Sequence, residues 1–224
     1  SITLRRKLRD RKRPRRRRPQ RGQLQGPVHL PDGATTLGIS KRDDSHLQLG
    51  LWAVDSINPN SMSAGLEYIQ NSRAEVVCIQ ETKVTGAALA SAERTAKRAQ
   101  WSLSTEPARV TEAGGMSAGT AVAVRAHIGH AAPPDFPWHC DLDSRVKVSW
   151  VGAVCKGGFF IVSLYLWHSE GLSHRNLNLL QHLAWVLKRL HGPWLVAADW
   201  NLLPSQLIAS GWLLLVRGVI QHSG

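Results

Sequence analysis

From His46 onward, short apolar runs alternate with turn residues, and in some stretches apolar positions recur every three to four residues, so strands and helices interleave along the chain. Leu47 to Ile57 reads as a first strand, Ala64 to Asn71 as a short helix, and Ala74 to Gln80 (AEVVCIQ) as a buried strand ending at Glu81. Gly86 to Gln100 is alanine-rich and helical, while Gly119 to Arg125, Val146 to Cys155 and Phe159 to Trp167 (FFIVSLYLW) read as strands. Ser173 suits a helix N-cap. Leu177, Leu180, Leu183, Ala184, Leu187 and Leu190 follow at helical spacing until Gly192 ends the helix. Pro193 to Ala198 (PWLVAA) is a wholly apolar strand that delivers Asp199. This interleaving predicts an α/β domain over residues 49–224. Residues 1–48 show neither period. Rich in Arg, Gly, Pro and Gln, they cannot bury enough apolar surface to offset the entropy of ordering, which predicts a disordered tail.

Charge changes the picture only once it is located. Of the formal net charge of +12, residues 1–21 carry +11, with 12 of the 28 Lys and Arg against the single acid Asp10, so residues 22–224 are close to neutral. The run Arg11 to Arg18 fits a nuclear-import signal or an arm that neutralises nucleic-acid phosphates, and it equally fits a transit-peptide remnant or an extension without a role. The expected location is nuclear, with an organelle or the cytoplasm as alternatives. Three cysteines, Cys78, Cys140 and Cys155, stand at no metal-ligand spacing, and their odd number argues against a disulfide framework. No apolar run approaches the roughly 20 residues that a membrane-spanning helix needs, so no membrane partner is expected.

Candidate chemistry gathers at strand ends. In LVAADWN (Leu195 to Asn201) an apolar strand terminates in two polar residues spaced by two, which places Asp199 and Asn201 on one side of the strand's mouth, where open sheets bind ligands. A carboxylate there can take a proton from an attacking water while the amide orients the water or a phosphate oxygen. A lone DxN also ends many strands simply as a turn cap. The strand EVVCIQ likewise ends in Glu81, which suits a hard cation such as magnesium, and the first strand supplies Asp55 (WAVDSI) as a further acid. Tyr165 and His168, in SLYLWHSEG, leave a strand end. Tyr165 can donate to a phosphate oxygen, or can be a rim tyrosine. Trp200, beside the candidate site, can stack on a base, or can pack.

WAVDSI, CIQETK, GGMSAGTAVAV, SLYLWHSEG followed by HRN, and VAADWN stand in the order and spacing of the exonuclease III-like endonuclease/exonuclease/phosphatase family, which the chain resembles from about residue 50 onward. Within that family it looks most similar to apurinic-type endonucleases and to endonuclease domains of non-LTR retrotransposons. The resemblance implies a four-layered α/β/β/α sandwich, two mixed sheets face to face with helices outside, and a divalent-metal site at one edge. By the same resemblance Glu81 holds Mg2+, or Mn2+, with Asp55 as a second ligand; Asp199 activates water; Asn201 places the phosphate; and Tyr165 contacts the phosphate or the leaving oxygen. The metal acts as a Lewis acid, and the 3′ oxygen departs. The implied partner is DNA, with RNA as an alternative.

The sequence departs from the family at two places. Where the family has Asn two residues before the Asp of a W-N-x-D or N-x-N pattern, this chain has Ala53, with Asn58 and Asn60 following. After Asn201 there is no Asp or Glu, so the family's Asp-His dyad has no counterpart, and His222 reads as a terminal histidine. The domain is therefore expected to be incomplete at its C-terminal side, with an unpaired sheet edge and with Leu213 to Val216 (LLLV) exposed or displaced. Two readings follow: a metal-dependent DNA endonuclease, impaired by these losses, or an inactive relative that binds nucleic acid or serves as a structural subunit. A third keeps the fold and changes the substrate to a phosphoinositide, sphingomyelin or an RNA 3′ end, since fold does not fix substrate.

Overall fold

The computed structural model describes residues 2–5, 51–133, 144–216 and 218. Its first sheet contains β1 (Ile2–Arg5), β2 (Leu51–Ile57), β3 (Val76–Ile79), β4 (Trp101–Glu106) and β7 (Thr120–Arg125), in the order β1-β2-β3-β7-β4. A second sheet has the order β11-β10-β9-β8, formed by Trp194–Asp199, Phe159–Tyr165, Val146–Val151 and His130–Ala131. β5 (Arg109–Val110) and β6 (Met116–Ser117) make a separate ribbon. Each sheet contains one parallel pair, β2 with β3 and β10 with β11; the remaining pairings are antiparallel.

Strand side chains alternate between faces, and both faces of these sheets are covered. Trp52, Val54, Val76, Cys78, Val122 and Val124 of the first sheet meet Phe159, Ile161, Val151 and Ala197 of the second in a dry core. The alternate residues Ala53, Val77, Ile79, Ala121 and Ala123 face outward onto α1 (Met62–Asn71) and α2 (Gly86–Arg98). On the far side, Val146, Val148, Val162 and Leu164 pack against α3 (His174–Leu187), α4 (Pro204–Ala209) and α5 (Trp212–Val216). The result is the four-layered α/β/β/α sandwich. Ser61 caps α1 and Ser173 caps α3 by accepting the N–H groups of Ala64 and Asn176.

One polar bridge crosses the dry core. Gln80, 1 % exposed, follows β3 on the inner face; its Nε2 donates to Ser163 Oγ of β10 at 3.1 Å, and Ser163 Oγ donates back to the Ile79 carbonyl at 3.2 Å.

Several elements differ from the sequence reading. Ile2–Arg5, placed in the disordered tail, pairs with β2 as an edge strand; the rest of that tail and His222 lie outside the described residues. The strand expected over Val146 to Cys155 ends at Val151, where the chain turns towards Gly157 and Gly158, both at positive φ. β4 has no counterpart in the sequence reading because WSLSTE is largely polar, as suits the edge position it occupies. The LLLV segment is divided: Val216 is buried and Leu213 packs on the outer core, while Leu214 is 85 % exposed.

Shortening Gln80 to Ala opens a cavity between the sheets and leaves the Ser163 hydroxyl without its donor. Gln80→Ala is expected to lose about 2–4 kcal/mol of stability, read as a lower urea midpoint at unchanged m-value.

Candidate active site

The carboxyl ends of both parallel pairs open at the same edge of the sandwich. In β2 the inner-face residues are even-numbered (Trp52, Val54), and continuing the count brings Asn58 inward just past the strand. In β10 and β11 the inner-face residues are odd-numbered, and the parallel register sets Tyr165 directly beside Asp199. Asn58 Nδ2 donates to Asp199 Oδ2 at 2.8 Å, which ties the two sheets together at their mouth. The Asn201 backbone N–H reaches the other oxygen, Oδ1, at 3.3 Å, so both oxygens of Asp199 are oriented. The Asn201 side chain donates to the Leu166 carbonyl at 2.9 Å and lies 3.1 Å from His168 Nδ1.

Glu81 leaves β3 in the left-handed region, φ 54°, within a loop held from both sides. Gln80 N–H donates to Ile57 O, Thr82 N–H to Gly119 O, Lys83 N–H to Ala118 O, and Met62 N–H to Thr82 O. Gly119, at φ 84°, is required there, since a Cβ would collide with the Thr82 hydroxyl. Asn60, Lys83, Ser169 and Asn201 also adopt left-handed φ of 45–59° in the loops of this edge. Each such residue costs on the order of 1 kcal/mol, and such strain gathers at functional sites.

The electrostatics follow from the packing. Burial first, then the hydrogen bond to and the charge of Glu81, push the Tyr165 phenol up to about 12, while the Arg145 guanidinium pulls it the other way. At neutral pH Tyr165 is therefore a hydrogen-bond donor. Arg145, 6 % exposed, lies 4.7 Å above the Tyr165 ring and 4.2 Å above that of Trp167. Lys83 Nζ lies 3.6 Å from Glu81 Oε1 and 3.4 Å from Asn60 Oδ1. Beside Arg145 opens a cleft of about 580 Å³ between the β5–β6 ribbon and α3, lined by Arg109, Arg175 and His182 among others.

The structure brings Glu81, Tyr165, Asp199 and Asn201 to one edge, and does not bring Asp55. Asp55 is odd-numbered in β2 and points to the helix layer, where it accepts from Tyr68 Oη and Ser72 Oγ, each at 3.0 Å. It is corrected from metal ligand to a strut between β2 and α1. Ala53 has the same parity and packs among Met62 and Ile69. The asparagine that does reach the mouth is Asn58, which the sequence reading left unplaced; counting parity from Trp52 past the end of β2 is the signal that points to it. Trp200 follows β11 at an even-numbered position and packs edge-on against Trp212, 5.8 Å between ring centres, on the outer core.

A hard divalent cation takes oxygen donors, one or two carboxylates and retained waters. Glu81 and Asp199 offer carboxylate oxygens of that kind, and this donor pair fits magnesium or manganese. Among the described residues no group of three or more His, Cys, Asp or Glu forms a ready-made metal cage. None of their helices is long and apolar enough to cross a membrane.

A four-layered sandwich with polar oxygens from both parallel strand pairs at one edge defines a class of α/β/β/α proteins suited to hydrolytic chemistry. Residues 58–214, more than half of the chain and beginning at Asn58, match the endonuclease/exonuclease/phosphatase family, and the chain belongs to that family. Among solved structures it is similar to the AP endonuclease LMAP from Leishmania major, at 16 % identity and a TM-score of 0.42 over 66 % of this chain and 54 % of that one. It is also similar to TDP2 from C. elegans, at 14 % identity and a TM-score of 0.39 over 68 % and 48 % respectively. The chain thus spans about half the length of each. No curated protein sequence matches it.

The chain has two tyrosines, and the second, Tyr68, is also pushed up to about 12, by burial and then by Asp55. Both folded-state values lie above the unfolded value of about 10, so the stability the neutral phenols contribute is complete below pH 10 and is lost as pH rises from there to about 12. An ultraviolet titration of the native chain should show little tyrosinate at pH 10.5, and unfolding in urea at that pH should raise it to about three-quarters of the two tyrosines.

Proposed function

We propose that this chain is a divalent-metal-dependent phosphodiesterase that hydrolyses a nucleic-acid strand, DNA in the first place. The observation that carries this reading is the Asn58–Asp199 bond, which orients a carboxylate beside Tyr165 and opposite Glu81 at the mouth of both sheets. Asp199, held through both oxygens, takes a proton from the attacking water, whose oxygen bonds to phosphorus as the bond to the 3′ oxygen breaks. Asn201 offers an amide N–H to a phosphate oxygen, and the neutral Tyr165 hydroxyl donates to a phosphate oxygen or to the departing one. Magnesium or manganese, held through Glu81, would supply a Lewis acid for the phosphoryl group.

The adjoining cleft supports a polyanion as substrate. Arg109, Arg145 and Arg175 converge on it, and Trp167 adds an aromatic wall. Successive phosphates of a strand match this arrangement better than a single lipid headgroup. The basic run at the start of the chain adds a second polyanion-attracting segment and fits action in the nucleus.

Magnesium-dependent nicking of a supercoiled plasmid and of an abasic-site duplex by the full chain is the direct test. Asp199→Asn is expected to lower the rate by about 10²–10⁴-fold, and Glu81→Gln to lower it and raise the magnesium requirement. A folded chain that binds the duplex without cutting it would instead support a nucleic-acid-binding member of the family. Binding should weaken with salt, and replacing Arg109 and Arg175 by Ala should reduce the slope of log K against log salt by about 2, while affinity for phosphoinositide vesicles stays low.

A further inference from the structure

Both ends of the Asn201 side-chain amide are engaged by groups of opposite polarity. The Leu166 carbonyl can only accept, so the amide nitrogen, 2.9 Å away, must face it and the amide oxygen must face His168. An amide oxygen also only accepts. The hydrogen between Asn201 Oδ1 and His168 Nδ1, 3.1 Å apart, therefore belongs to the imidazole. His168 is exposed, and among the described residues no protein group reaches its Nε2. The turn that puts the ring there runs through Ser169 at φ 59°, and Asn201 itself stands at φ 45°.

We infer that His168 is a positioning residue: its Nδ1–H locks the Asn201 amide so that an N–H, and not the carbonyl oxygen, is presented to the substrate phosphate, and the lock holds the imidazole in its Nδ1–H tautomer. The phosphate half of this inference rests on the function proposed above; the lock does not. An asparagine amide is nearly symmetric in shape, so its orientation is decided by its partners. One of its two N–H groups is spent on Leu166 O, and the other remains for an anion. Without the His168 donor a single contact restrains the amide, and rotation turns a carbonyl oxygen towards the negative phosphate. Among the described residues no other hydrogen bond is made by the His168 ring. Asparagine at the same position would carry its Nδ2 as many bonds from the backbone as His168 carries Nδ1, so it can replace the donor, whereas alanine cannot.

The lock is tested on the full chain by ¹⁵N correlation spectroscopy of the histidine rings, which needs no catalysis. At a pH where His168 is neutral, its Nδ1 should be protonated and Nε2 bare, and Asn201→Ala should return the ring to the Nε2–H form that free histidine favours. An Nε2–H ring in the parent, or a tautomer indifferent to Asn201→Ala, overturns the inference. In the plasmid assay His168→Ala should lower kcat/KM about ten- to a hundredfold, the loss of one hydrogen bond to a charged group. His168→Asn should restore most of it, with the thermal midpoint unchanged in both. Equal losses in the two variants overturn the positioning role. If the parent does not cut at all, the proposed function fails and the tautomer alone decides whether the lock exists.

Discussion

Alternate side chains of β2, β3 and β7 interlock with those of β9, β10 and β11 between the two sheets, and the position of every polar group at the mouth follows from that contact. The core is dry and built largely from Val, Ile, Ala and aromatic residues, so it fixes the spacing of the sheets without polar help until Gln80. There a single amide couples β3 to β10 through Ser163, one turn of the pleat below the edge. A buried amide of this kind is tolerable only when its partners are in place, which makes it a device for register as much as for stability. With register fixed, Asn58 from one sheet and Asp199 from the other arrive within hydrogen-bond distance, although 141 positions separate them in the chain.

Rigidity at the edge comes from backbone as well as side chains. The loop carrying Glu81 is stitched to β2, to α1 and to the segment before β7, and it holds a conformation that L-residues adopt at a cost. Loops normally lie at the mobile end of a fold. Here the sandwich holds its loops in place, so the polar groups of the mouth are fixed by the fold itself. The neutral Tyr165 belongs to the same design, since burial next to Glu81 removes the phenolate as an option and leaves a hydroxyl with one role, to donate.

Elements with strong local signals were legible in the sequence. The unbroken apolar runs of β3 and β10, the leucine spacing of α3 and its Ser173 cap each carry their own physics, and the boundaries fall close to those expected. β4, β8 and the β5–β6 ribbon were not legible, because short and polar strands are made by their neighbours more than by their residues. At the edge, Glu81, Tyr165, Asp199 and Asn201 could be named because strand ends announce themselves. Asp55 was not legible as a helix-layer residue because the type of residue alone does not say which face of β2 it takes; parity sends both Asp55 and Ala53 to the helix layer. The His168 contact was beyond reach, since it depends on two left-handed residues in loops far apart in the chain.

The two faces of β2 answer to different neighbours, and this separates two histories within seven residues. Asp55 is accountable to Tyr68 and Ser72 in the helix layer. Asn58 is accountable to Asp199 on the other sheet and to the Asn60 backbone N–H, which its Oδ1 accepts. Lineages descending from this chain should therefore show Asp55 drifting in step with α1 and Asn58 lost or kept in step with Asp199, so that β2 and the residue just past it record the fate of the scaffold and the fate of the mouth separately.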